Sequence, residues 1–312
     1  MISRYAVALS ALLASAGLVV AASPAKDAPE LPEGIQGHTL SGDPLVSGQP
    51  DGAALEKLEA ARAAYEQDPG DADSIIWYGR RMAYTGDYRS AIRIFSEGVE
   101  KHPRDARMYR HRGHRYISVR EFDRAIEDLE VAADLIRNQE NTIEPDGMPN
   151  ALNIPVSTLH GNIWYHLGLA YYLKHDWPNA YRAFQAGFDT GGNDDNRVST
   201  THWRYMILRR MGKSVEAERT LDAITADMNV IENTVYHRLC LFYKGQLSLE
   251  DLALEDAGNP TGAAAAYGIA NWFLYTGDQA EARKRLQELV DTAGWDAFGY
   301  IAAEADLARM RL

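Results

Sequence analysis

The chain has 312 residues, 46% of them hydrophobic, and carries 44 acidic against 32 basic side chains for a formal net charge of −12. That charge argues against general nucleic-acid binding, because a phosphate backbone attracts a basic surface. The single cysteine, Cys240, excludes an intrachain disulfide framework; set among Leu239, Leu241 and Phe242, it reads as a small buried apolar residue.

Residues 1–22 carry one early positive residue, Arg4, and then an Ala- and Leu-rich apolar run ending in small residues. The run is short for a membrane span, and the pattern predicts a secretory signal peptide, cleaved before Ser23 or Lys26. No cysteine follows the run, which excludes a lipoprotein anchor. The mature protein is expected to be exported, periplasmic or secreted, with no membrane span after processing; a retained anchor is the alternative. Residues 23–52 are dense in proline and glycine and have no sustained period, which predicts an extended arm or linker, alternatively a strap along the rest of the fold.

Residues 52–67 read as a helix with Leu55, Leu58, Ala61 and Tyr65 on one stripe, stopped by Asp68-Pro69-Gly70. Residues 71–104 then form two amphipathic helices joined at Gly86-Asp87 and closed by Pro103. Tyr88, Ala91, Ile92, Phe95 and Val99 recur at steps of three and four. The plan repeats 34 positions later: Gly113 follows Gly79, Phe122 follows Tyr88, Ala125 follows Ala91, and Leu129 follows Phe95. A fixed 34-residue period of helix-turn-helix units marks a helical repeat array.

With Ala72 as first residue, Gly79, Gly86, Tyr88, Ala91, Phe95 and Pro103 fall at positions 8, 15, 17, 20, 24 and 32, and the unit resembles a tetratricopeptide repeat (TPR). The resemblance extends over residues 53–312. It implies an all-α superhelix of about five repeats that binds proteins rather than performing a reaction. Repeats one and two run from residue 72 to about 138. Residues 139–160 hold Pro145, Gly147, Pro149 and Pro155, cannot form a regular helix, and are placed to fold over a groove; Asn150, Leu152, Ile154 and Val156 suggest that part of them packs down.

Repeat three spans about 161–194 with Trp164, Leu167, Gly168, Tyr171, Trp177, Ala180, Phe184 and Gly187 in register. Repeat four, from about Val198, keeps Gly212, Ala217 and Leu221 but has Tyr205 where a small residue is usual. A helix over 231–244 and a short one over 248–254, with a capping box from Ser248 to Asp251, are expected next. Repeat five starts near Ala263 and keeps Ala270, Phe273, Gly277, Ala282 and Leu286. An amphipathic helix over 295–310 is expected to close the array.

There is no phosphate loop, dinucleotide fingerprint, nucleophile elbow or HExxH, so no cofactor, metal or catalytic role is expected. Within the resemblance, the first helix of each repeat lines the concave groove. Transferred position by position, the lining is Arg80 and Tyr84; Arg107, Arg110 and His114; Asn162, Tyr165 and Tyr172; His202, Met206, Arg209 and Arg210; and Tyr267, Asn271 and Tyr275. Second helices carry Glu97, Glu100, Glu127, Asp128, Glu130 and Asp134, expected on the outer face. Arginine forks and tyrosines suit an acidic or carboxylate-bearing peptide. Ile76 and Arg80 stand where the family's carboxylate clamp has lysine and asparagine, which departs from that version. The expected function is a non-catalytic protein-binding scaffold with no nucleic-acid partner. An adaptor for an envelope complex, or an enzyme acting on a small acidic substrate, is the alternative.

Overall fold

The computed structural model describes residues 31–252 and 260–310. The expected signal segment, residues 1–22, lies outside the described residues. Among these, helices dominate: α1 (Gly52–Gln67), α2 (Ala72–Tyr84), α3 (Tyr88–Lys101), α4 (Ala106–Ser118), α5 (Phe122–Ile136), α6 (Leu159–Leu173), α7 (Trp177–Thr190), α8 (Asp194–Arg210), α9 (Ser214–Thr220), α10 (Thr234–Tyr243), α11 (Pro260–Thr276), α12 (Gln279–Thr292) and α13 (Phe298–Met310). Consecutive helices pack as hairpins from α2–α3 to α11–α12, the all-α solenoid expected from the 34-residue period.

The repeat register is written in three recurring contacts. First, a glycine on the first helix faces a large side chain sixteen residues later. A Cβ on Gly79 would stand 2.6 Å from the Phe95 ring, one on Gly113 2.7 Å from Leu129, and one on Gly168 2.7 Å from Phe184. The helices of each pair touch there because no side chain intervenes. Second, the second helix starts on an aspartate cap: Asp87 accepts from the Ser90 N–H at 2.9 Å, Asp176 from Asn179 at 3.3 Å, and Asp278 from Glu281 at 3.0 Å. Third, the second residue before each second helix turns the chain with positive φ: Gly86 (87°), Arg120 (66°), His175 (59°), Gly212 (72°) and Gly277 (104°). In repeats two and three this costly conformation is held by residues other than glycine.

Repeat four departs from the plan where the sequence does. Tyr205 is buried and stacks on Tyr243 of α10, with ring centroids 4.4 Å apart. Its partner helix α9 is cut to seven residues, and α10 packs on α8 beside it. Ser248 and Asp251 do exchange hydrogen bonds, Asp251 N–H to Ser248 Oγ at 3.2 Å and Ser248 N–H to Asp251 Oδ2 at 2.8 Å, but within a turn rather than opening a described helix.

Two elements differ from expectation. Residues 35–46 of the arm form an antiparallel hairpin of β1 (Ile35–His38) and β2 (Pro44–Val46) that packs on the array. Leu45 is buried, Arg89 donates from Nε to the Gln36 carbonyl at 2.6 Å, and Ser47 Oγ donates to the Gly86 carbonyl at 2.7 Å. These contacts fasten the hairpin to α3 and to the turn before it. The final helix, for its part, does not simply cover the last repeat. It packs against α11, α12 and also α6, turning back into the inner side of the array.

Buried ion pairs lock this return. Arg120 donates to Glu304 Oε2 at 2.8 and 3.0 Å and to the Trp295 carbonyl at 2.8 Å. Glu304 also accepts the Leu40 N–H of the hairpin loop, Trp295 Nε1 donates to the Val46 carbonyl at 2.8 Å, and Tyr88 donates to Asp296 at 2.8 Å. His175 Nε2 lies 3.1 Å from Asp306, which Arg210 also holds at 2.8 Å. The two non-glycine residues at the inter-helix turns, Arg120 and His175, thus both help to fasten α13. Of the second-helix carboxylates expected outside, Asp128 is buried, because Arg112 on the partner helix grips both its oxygens at 2.7 Å.

Candidate functional site: a cavity beneath the insert

The insert is a roof, held at both margins. Its two limbs pair at Ile143 and Thr158, with Glu144 N–H donating to the Ser157 carbonyl and Leu159 N–H to Thr142, each at 2.9 Å. On the repeat-one side, Arg80 donates to the Pro145 carbonyl at 2.8 Å and Arg81 to the Gly147 carbonyl at 3.0 Å. Gly147 lets the insert approach closely there: a Cβ would lie 2.3 Å from the Tyr84 hydroxyl oxygen. On the far side, Asn150 donates its amide to Glu232 at 2.6 Å. Of the insert residues expected to pack down, Val156 is buried and Asn150 half-buried, whereas Leu152 and Ile154 are exposed.

Below the roof is a cavity of about 360 Å³. Its floor comes from the predicted groove: Arg80 of α2, Arg110 and His114 of α4, and Asn162 and Tyr165 of α6. Tyr84 stands at its edge, against Gly147 and hydrogen-bonded by Arg80 at 3.4 Å.

Arg110 is nearly buried, and its Nη2 lies 3.2 Å from Glu144 of the insert. Its Nη1 donates to His111 Nδ1 at 2.7 Å, which leaves the ring proton on Nε2, 3.1 Å from the same carboxylate. Burial, reinforced by Arg110, lowers the His111 pKa to about 3. Burial would raise Glu144, but Arg110 and the hydrogen bonds from His111 and Asn162 outweigh it and hold Glu144 below the ordinary carboxylate range. His166 donates Nδ1–H to the Asn162 carbonyl at 2.6 Å; burial and then Arg110 lower it to about 3. His114, 4.2 Å from His166 ring to ring, is also lowered, by burial and then Arg115. These rings are neutral at ordinary pH. Tyr165 completes the floor, its oxygen 2.9 Å from the Tyr236 oxygen and accepting Trp203 Nε1–H at 3.1 Å.

The rest of the predicted groove is not open. Tyr172 and Tyr267 meet hydroxyl to hydroxyl at 2.6 Å, and Tyr267 donates to Asp306 of α13 at 2.9 Å. Arg210 holds Asp306 and also Asn271 Oδ1 at 2.9 Å. Burial opposes ionisation of Asp306, yet His175 and Arg210 bring its pKa down to about 2. An acidic residue does enter this half of the groove, and it is the chain's own. His202 and Met206 are fully buried in the core. Arg209 lies over the Tyr275 ring at 4.6 Å and donates to Tyr205 at 3.0 Å, away from the cavity. Arg107 is taken up by Asp105 and Asp73, each at 2.6 Å. The departures at Tyr172, Tyr267, Asn271 and Arg210 have one physical reason: α13 brings Asp306 into this half of the concave face. His202, Arg209 and Arg107 are taken up by residues of the repeats and of α10.

Sequence reasoning missed the cavity's carboxylates: Glu144 and Asp146 on the insert, Asp195 at the start of α8, and Glu232 before α10. Two guanidinium groups face these four carboxylates, and with the histidines neutral the cavity is net negative. Asp195 lies in the first turn of α8. Its oxygens receive the N–H groups of Ile231, Glu232 and Asn233 at 2.7–3.2 Å. Among the described residues, no cluster of three or more His, Cys, Asp or Glu side chains is placed to hold a metal ion.

No protein-family model matches the sequence, and no curated protein matches it. Solved structures similar to it include YrrB, described as a TPR protein with an unusual peptide-binding site, at 18% identity over 82% of this chain and 100% of that one, with a TM-score of 0.43. MamA from Desulfovibrio magneticus RS-1 is 16% identical over 55% of this chain and 83% of that one, with a TM-score of 0.42. A kinesin light chain with TPR-like repeats, from Podosopora anserina, is 14% identical over 72% and 95%, with a TM-score of 0.43. At that identity and overall fit they bear on neither the site nor its ligand.

Proposed function

We propose that the protein is a non-catalytic binding scaffold that takes a short peptide segment into the cavity between the insert and the inner helices. The observation that carries this reading is the cavity itself. Its 360 Å³ lie in the range of small ligand sites, and its floor and roof are a rigid helical surface and a fastened loop. A carboxylate of the ligand is received at the Arg80 end. Arg80 makes no ion pair among the described residues and rests on Trp77 at 4.5 Å, so its charge is available. Of the other groove arginines, Arg107, Arg110 and Arg210 already hold intrachain carboxylates, and Arg209 rests on Tyr205 and Tyr275 outside the cavity.

Panning a random heptapeptide phage library against the full chain, followed by fluorescence anisotropy on the enriched peptides, tests this. Arg80→Ala is expected to weaken binding at least tenfold, while Glu127→Ala on the outer face of α5 leaves it unchanged. Equal binding by both variants, or no enriched peptide, would overturn the reading.

A further inference from the structure

We propose that the peptide also presents a basic side chain, a lysine ammonium or arginine guanidinium, which docks between Asp146 and Glu232 in the same cavity. This rests on the binding reading above and adds a second, opposite charge to the ligand.

Four carboxylates line the cavity, and two have occupations that explain them. Glu144 neutralises Arg110 and fastens the insert. Asp195 caps the start of α10 through three backbone N–H groups. Asp146 and Glu232 have no such role. Asp146 accepts one backbone N–H, from Met148 at 2.9 Å, and Glu232 accepts only the Asn150 amide. Neither forms an ion pair among the described residues. They come from segments 86 positions apart, brought together by the Asn150–Glu232 hydrogen bond across the cavity mouth. Partial burial, and then the charges of Asp146 and Asp195, raise the Glu232 pKa even against the Asn150 hydrogen bond. Like charges lining one cavity without a counter-ion repel, and a ligand cation between them relieves that repulsion.

A second observation points independently to a ligand. Arg110 is only 8% exposed and lines the same cavity, yet its Nε has no hydrogen-bond partner. A buried donor is seldom left in that state, and a ligand carbonyl or carboxylate satisfies it. The cavity thus offers one unmet donor, Arg110 Nε, and two carboxylates without an ion-pair partner among the described residues, Asp146 and Glu232. A peptide bearing both charges within a few residues meets both needs, whereas a purely acidic peptide would meet the carboxylates unpaired.

The test uses the peptides enriched by panning, together with the double variant Asp146→Asn/Glu232→Gln in the full chain. The expected result is that enriched peptides contain lysine or arginine, and that the double variant binds them at least tenfold more weakly. Replacing the peptide's basic residue by citrulline or norleucine should cost a similar factor with the wild-type chain and little further with the double variant. That non-additivity assigns the contact to this pair. If Arg80→Ala weakens binding while the double variant and the neutral peptides bind as before, this inference falls and the scaffold reading stands. If none of these changes alters binding, or no peptide is enriched, both fall.

Discussion

His202 sets a measurable limit on acid stability. Its ring is fully buried between Trp203, Tyr236 and Tyr243, and its Nε2 has no partner. Burial alone lowers its pKa to about 3. The unfolded chain binds a proton on this ring near pH 6.5, and the folded chain only near pH 3. Below pH 6.5 the unfolded state therefore holds more protons, so stability falls with falling pH until about pH 3. At about 1.4 kcal/mol per pH unit, one such ring removes about 2 kcal/mol between pH 7.5 and 5.0. His111 and His166, also lowered to about 3, add similar losses, bringing the total to about 6 kcal/mol. That is a large share of the 5–15 kcal/mol typical of a folded protein. Carboxylates held low, such as Glu144 and Asp306, act chiefly below pH 5 and stay outside this window. The assay is denaturant unfolding of wild type and His202→Phe at both pH values. Phenylalanine keeps the ring stacking and loses only the 3.3 Å contact between Nδ1 and the Tyr243 hydroxyl. The variant should lose about 2 kcal/mol less than wild type between the two pH values. An equal loss would mean that His202 is protonated in the folded chain, and would refute the burial argument.

Two further outcomes test the packing. Gly168→Ala places a Cβ 2.7 Å from the Phe184 ring and should cost about 1–3 kcal/mol in a thermal melt, whereas the same change at Gly48, which faces open space, should cost much less. Gly191 is no neutral control, because a Cβ there would stand 1.6 Å from Asn196 Oδ1. Arg120→Ala should cost about 3 kcal/mol or more by leaving Glu304 buried without its partner, as measured by urea unfolding. Arg120→Gly should be more stable than the alanine variant by about 0.5–1 kcal/mol, because glycine accepts the φ of 66°. A reversed order would show that the turn relaxes on substitution.

The repeat register was present in the sequence by itself. Glycine at one position, an aromatic or leucine sixteen residues on, and an aspartate cap between them are short-range choices that a 3.6-residue period makes visible. The break at residues 139–160 and the odd Tyr205 were visible for the same reason. Five residues of the stripe read from the sequence, Arg80, Arg110, His114, Asn162 and Tyr165, line the cavity floor. What filled the rest of that face was decided only in three dimensions. Asp306 reaching Arg210 and Glu304 reaching Arg120 are pairings 96 and 184 residues apart, and no local pattern encodes them. Nor could composition show that Glu144 would neutralise Arg110, since a glutamate in a proline-rich loop reads as solvated until the loop folds over a helix. A repeat fixes which residues share a face because helix geometry is local. Which charges on that face remain unpaired depends on every segment that returns to it: the insert neutralises Arg110 through Glu144 and leaves Arg80, Asp146 and Glu232 lining the cavity without an ion-pair partner among the described residues.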